Sequence, residues 1–334
     1  MDALLFTQVI PRIRVLETRL LDKVKIDRMI DSSSPLEALK VLEETEYSTF
    51  MSKVKKPEDY EILLSNELKR VYHLLYEISP PVKSLVNMMS LKYDYHNIKV
   101  MIKGKILNKD FTDIIIPVGN VPVEKLKTSI DNEYYRDLNP IMRKAIEEVF
   151  EDFGTNKNPQ KIDIILDKYM FEEMLLLNKE IGDKFLDKYL KILIDLNNIK
   201  TLLRVKKQNK DRNFFTSVII SGGFVDKDKL IALLNDTVEN IPVKLSYTDY
   251  VEILRAGIDA YLKTGSINIF EKLSDNFIME YMKKAKYITF GAEPIISYLY
   301  AKENEIKIIR IIMIGKFNNM KSEIIRERLR DIYV

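Results

Sequence analysis

His73 and His96 are the only imidazoles in the chain, and there is no cysteine. Zinc sites draw on several nitrogen or sulfur ligands, and a hydrolase triad needs a histidine beside its nucleophile. His73 sits inside an apolar run next to Leu74 and Leu75, and His96 stands beside Asn97, so neither chemistry is expected. Gly315-Lys316 resembles the end of a phosphate loop, but Phe317 follows it and no glycine lies five positions before it. No glycine pair has dinucleotide-loop spacing, and the many carboxylates form no pair that stands out from solvated helix faces. The expectation is no catalytic residue, no cofactor, no metal and no small-molecule substrate.

The polar residues that do stand out recur. YDYHNIKVMIKGK and IDLNNIKTLLRVK place Asp94, Asn97, Ile98 and Lys99 against Asp195, Asn198, Ile199 and Lys200, 101 positions on. A third relative, AKENEIKIIRIIMIGK, places Glu305, Ile306 and Lys307 against Asn198, Ile199 and Lys200. Three residues apart on a helix, Asp and Asn share a side and can bond each other or a neighbouring element. A polar contact that fixes helix register is the stronger reading; direct partner binding is the alternative. Basic residues gather toward the end of each segment: Lys99, Lys103, Lys105 and Lys109; Lys200, Arg204, Lys206, Lys207 and Lys210; Lys307, Arg310 and Lys316. They can complement the negative end of a helix, or form basic rims for an acidic partner or lipid head groups.

The elements that must position these residues are helical. Leu68, Val71, Leu74, Leu75 and Ile78 keep the three-to-four spacing of one apolar face, and SSSPLEAL reads as a helix start capped by Ser33 or Ser34. VDKDKL at 225–230 reads as a second start, with Asp226 as cap. The only β-like runs are FTDIIIPVG at 111–119 and FTSVIISGG at 215–223, which share Phe, Thr, two Ile and the closing Gly. With the flanking segments repeating at similar offsets, these phrases read as joints between helical units. Glu124–Leu126 and Asp228–Leu230 open a helix after each joint, and Glu37–Leu39 is expected to do so in the first unit. The predicted organisation is all-α, three helical units at 1–110, 111–214 and 215–334, stacked openly or closed around an axis.

With 46% hydrophobic and 31% charged residues the chain is expected to fold as a globular protein, and a net charge of +3 is too balanced for a nucleic-acid binder. The longest charge-free run, residues 213–225, is too short to cross a bilayer as a helix. The N-terminal MDALLFTQVIPRIRVLETRLL lacks a basic n-region and cleavage site and is expected to be helix of the mature protein.

Three segments, RVLETRLLDKVKIDRMID, SLKYDYHNIKVMIKGK and EPIISYLYAKENEIKIIRIIMIGKFNNMKSEIIRERLRDIYV, resemble the C subunits of bacterial and archaeal V/A-type ATPases, counterparts of the eukaryotic d subunit. The likeness runs from about residue 10 to the end, and departs from the family at Pro117 and Val118, where small residues are usual. It implies a non-catalytic, all-helical, funnel-like body of three pseudo-equivalent units around an axis. It further implies a place on the cytoplasmic face of the membrane rotor ring, as a socket for the central stalk that couples ATP chemistry to proton or sodium transport. By motif match, Asn97, Lys99, Asn198, Lys200, Arg204, Glu305, Lys307 and Arg310 are the partner-binding candidates. A helical-repeat scaffold for soluble partners is the alternative from a different class.

Overall fold

The computed structural model describes residues 6–78 and 80–334, and among them there is helix and turn but no strand. The chain forms α1 (Ile10–Glu17), α2 (Lys23–Asp31), α3 (Pro35–Lys40), α4 (Tyr60–Ile78) and α5 (Pro80–Leu107). It continues through α6 (Val123–Asp131), α7 (Pro140–Asn156), α8 (Pro159–Ile181), α9 (Lys184–Lys207), α10 (Arg212–Val218), α11 (Lys227–Leu234) and α12 (Ile241–Lys244). The last four are α13 (Val251–Thr264), α14 (Asn268–Lys283), α15 (Glu293–Phe317) and α16 (Ser322–Arg328). Two compact units result, Met1–Val86 with Asp249–Val334, and Asn87–Thr248.

Local chemistry sets the helix ends. Ser34 accepts the Glu37 N–H at 3.2 Å while Glu37 returns to the Ser33 N–H at 3.1 Å, closing α3 at its start as predicted. Asn139 and Asn158 cap α7 and α8 one residue before Pro140 and Pro159, where the missing N–H costs nothing. Asp226 does precede α11, but its side chain makes no capping bond. Gly182 and Gly265 end α8 and α13 in the left-handed region, at φ 68° and 66°.

In the first unit α15 is the central helix, in contact with α1, α2, α3, α4, α14 and α16. Its sequence permits this, because Ile295, Ile296, Leu299, Ile308, Ile309 and Ile312 cover more than one face and are all buried. Leu68, Val71 and Leu75 of α4 face the same core, as their spacing predicts. In the second unit α9 plays the corresponding part against α8, α10 and α11, burying Leu190, Ile194, Leu202 and Leu203. Among the described residues no helix is long and apolar enough to cross a membrane.

Candidate functional site

The recurring polar residues fasten the chain to itself. On α5, fully buried Asp94 accepts the N–H groups of Asn120 at 2.8 Å and Val121 at 2.9 Å, on the approach to α6. Asn97, one turn on, takes both backbone groups of Ile116: its Oδ1 accepts the N–H at 2.9 Å and its Nδ2 donates to the C=O at 2.8 Å. On α9, Asp195 accepts from the N–H of Phe224 at 2.8 Å and Val225 at 3.2 Å, on the approach to α11. Asn198 binds both groups of Ile220, at 2.9 and 2.7 Å. The two joint phrases are thus the segments held by the two Asp-x-x-Asn pairs. Their shared closing glycine has a physical reason: a Cβ on Gly119 or Gly223 would lie 2.1 or 2.0 Å from the Asp94 or Asp195 carboxylate.

The joints differ locally despite their common residues. Asp110 accepts from the Thr112 N–H at 2.9 Å and turns Thr112–Ile114 into one 3₁₀ turn. Asp211 accepts from the Phe214 N–H at 2.7 Å and caps α10, so the second phrase begins as helix.

The third segment corrects the predicted register. Glu305 on α15 accepts the Leu21 N–H at 2.5 Å, two residues before α2 starts. Val121 stands two residues before α6 and Val225 two before α11, so Glu305 does the work of Asp94 and Asp195, not of Asn97 and Asn198. The equivalent of α6 and α11 is accordingly α2, not the helix opened at Glu37–Leu39. The C-terminal ends of the three long helices agree. Asn108, Asn209 and Asn319 take left-handed φ of 50°, 51° and 51°, each closed by a bond back five residues, from Lys109 to Gly104, Lys210 to Val205 and Met320 to Gly315. Three residues before each Asn a lysine bonds the C-terminal end of α6, α11 or α2. Lys105 donates to Ile130 C=O at 2.7 Å, Lys206 to Leu234 C=O at 2.7 Å, and Lys316 to Ser32 C=O at 2.7 Å. Burial pulls the Lys206 and Lys316 ammonium groups below their ordinary values, opposed by Asp236 and Asp31 respectively.

Around Glu305 lies a buried ionic network. Lys302 Nζ reaches Glu305 at 2.7 Å and Glu67 at 3.3 Å, Tyr47 donates its hydroxyl to Glu305 at 2.8 Å, and Arg70 holds Glu67 at 2.7 Å. Burial opposes the charge on Lys302, but Glu305, Tyr298 and Glu67 outweigh it and hold the ammonium above its usual value. In the second unit a different acid cluster lies beside Asp94. Tyr95 donates to Glu173 at 2.8 Å and Asn139 donates to it at 2.9 Å. Burial pushes Glu173 up to about 7, with the Asp94 charge adding to it, and burial pushes Asp94 up to about 6 against its backbone N–H bonds.

Of the eight candidates, Asn97, Asn198 and Glu305 are therefore interior groups bonded to the chain's own backbone. Lys99 pairs with Asp167, Lys307 with Asp275 at 2.5 Å, and Arg310 with Glu61 at 2.7 Å, all half-buried. Lys200 is half-buried on α9. Arg204 is exposed and lines a cavity of about 270 Å³ with Asp163, Asp167, Lys168 and Thr201. Sequence reading missed Leu21, Tyr47, Lys302 and Glu67 as parts of the third fastening; the only available signal was the carboxylate at Glu305 itself.

An all-helical chain whose long helices carry repeated internal fastenings defines a structural class before it defines a family. The family follows from sequence: residues 9–328 match the family described as ATP synthase (C/AC39) subunit, and the chain belongs to it. The C subunit of the A-type ATP synthase of Methanocaldococcus jannaschii is 31% identical over 97% of this chain and 86% of its own length. The C subunit of the V-type sodium ATPase of Enterococcus hirae is 30% identical over 97% of each, and that of the A-type ATP synthase of Pyrococcus abyssi 27% over 96% and 89%.

Proposed function

We propose that this chain is a non-catalytic rotor component of a V/A-type ATPase or ATP synthase. It sits on the cytoplasmic face of the membrane rotor ring and receives the foot of the central stalk as a socket, passing torque between ATP chemistry and ion transport. Its three units, 1–110, 111–214 and 215–334, close around an axis as a funnel. The observation that supports closure is the order of the fastenings: α5 holds the entry to α6, α9 the entry to α11, and α15 the entry to α2. An open array would leave its last unit holding nothing in its first. A socket needs stiffness more than reactive groups, and buried carboxylates gripping backbone N–H groups supply it at each junction.

Of the candidate partner residues, Arg204, Lys200, Lys99, Lys307 and Arg310 reach the surface wholly or in part and are the ones we assign to stalk or ring contact. Asn97, Asn198 and Glu305 act by shaping the units that carry them. Purified chain is expected to bind detergent-solubilised rotor ring or the central-stalk proteins, and to show no ATP hydrolysis alone. Binding neither at low and moderate salt would overturn the reading and favour a scaffold for soluble partners.

A further inference from the structure

In the first unit, residues 283–290 read KKAKYITF and start on the last residue of α14. Tyr287 is 90% exposed and Phe290 49% exposed, although both are large enough to be core residues. The exposure is built. Arg14 Nη2 donates to Ala285 C=O at 2.8 Å and Ile288 C=O at 2.6 Å, clasping the base of the turn and holding Tyr287 at its tip. Arg14 is itself anchored by Glu17 at 2.7 Å. Beside the turn is a groove of about 480 Å³ with Ile10, Pro11, Ile288 and Phe290 in its lining. On α1 the exposed Pro11 and Val15 are four residues apart and share a face, with exposed Arg12 between them.

The charges around this apolar tip are positive. The neighbouring carboxylates are taken, Glu17 by Arg14 and the Tyr333 hydroxyl, and Glu280 by Lys283 at 2.6 Å. Lys284 and Lys286 lie over the rings of Tyr281 and Tyr333, and make no ion pair with the Glu17 and Glu280 carboxylates that act on Lys286 from further off. A rigid tyrosine tip, a second aromatic and exposed cations on one turn match the two demands of a bilayer interface: an amphipathic ring at head-group depth and attraction to anionic lipid. We propose that this turn and the adjoining face of α1 form a direct docking surface for anionic lipid head groups. The inference rests on the membrane-face placement proposed above and adds a contact with the lipid itself.

The test is flotation of the full chain with phosphatidylcholine vesicles, with and without phosphatidylglycerol, at low and moderate salt. Binding is expected only to the anionic vesicles, to weaken with salt, and to fall at least about tenfold in Lys284→Glu/Lys286→Glu. Tyr287→Ser should weaken it too, and at 90% exposure it leaves the fold intact. No binding to anionic vesicles would overturn the proposal, as would binding that both variants leave unchanged. Equal binding to soluble polyglutamate that ignores Tyr287→Ser would overturn it in favour of an acidic protein partner. Ring binding in detergent, measured on the same variants, separates the two readings. Its survival without vesicle binding removes the lipid contact alone, and its absence from the unmodified chain removes the rotor reading.

Discussion

The fastenings at Asp94 and Asp195 make the same kind of bond as the one at Glu305, in surroundings that differ. Asp94 and Asp195 each reach a backbone N–H fewer than about thirty residues ahead, across a joint covalently continuous with their own helix. Glu305 reaches one 284 positions away, near the other end of the chain. The first two are supplemented by neutral Asn side chains that hold an isoleucine's two backbone groups. The third has Ile308 at the place of that Asn and is supplemented by Lys302, Glu67, Arg70 and Tyr47. A joint inside the chain needs its path fixed; a junction between distant segments must also be held against separation, and there the charges concentrate.

The comparison can be broken most forcefully at the third fastening. Glu305→Ala leaves the Leu21 N–H and Tyr47 hydroxyl without their acceptor and Lys302 with one carboxylate in place of two, and should cost about 3–5 kcal/mol in denaturant unfolding. Asp195→Ala strips the acceptor from two backbone N–H groups, and should cost about 2–3 kcal/mol in the same measurement. Gly223→Ala forces its new methyl into the Asp195 carboxylate and should destabilise by about 1–3 kcal/mol, while Gly154→Ala, with open space around it, should be neutral or better.

A pH titration sharpens the same contrast at smaller cost. Asp94 and Glu173, raised to about 6 and about 7, bind protons more tightly folded than unfolded. Folding therefore takes up protons between the unfolded and folded pKa values, and their contribution to stability falls as pH rises through 6 to 7. Thermal melts should find the second unit more stable near pH 5 than near pH 8, and Glu173→Gln should flatten that slope. The Lys302 network has the same sign in a different window: an ammonium held above its usual value keeps its contribution through neutral pH and loses it only in strong alkali. Smallest of all, Lys206→Met should cost about 0.5–1 kcal/mol by uncapping α11.

How much of this the sequence displays depends on the residue. Asp94, Asn97, Asp195 and Asn198 recur with unchanged spacing, and so do the joint phrases they hold, because the same side chains meet the same backbone twice. The third copy slips by three residues for a helical reason. Positions i and i+3 lie on one face, so Ile306, Ile309 and Ile312 fit the apolar pattern in either register. Glu305 then falls against Asn198 by spelling when its bond places it against Asp195. The identity of its partner, a backbone N–H 284 positions away, leaves no trace in side-chain types. Nor does the exposure of Tyr287, since a tyrosine in KKAKYITF reads equally well as core.

Native-state hydrogen exchange on Glu305→Gln and Asp195→Asn tests the central claim directly, that the third fastening joins distant parts of the chain while the others fix local joints. In Glu305→Gln, amides from Leu21 through α2 and α3 should lose protection together, whereas Asp195→Asn should loosen only the joint between Ile220 and Val225. Loss confined to Leu21 in the first variant, or equal spread in both, would contradict it.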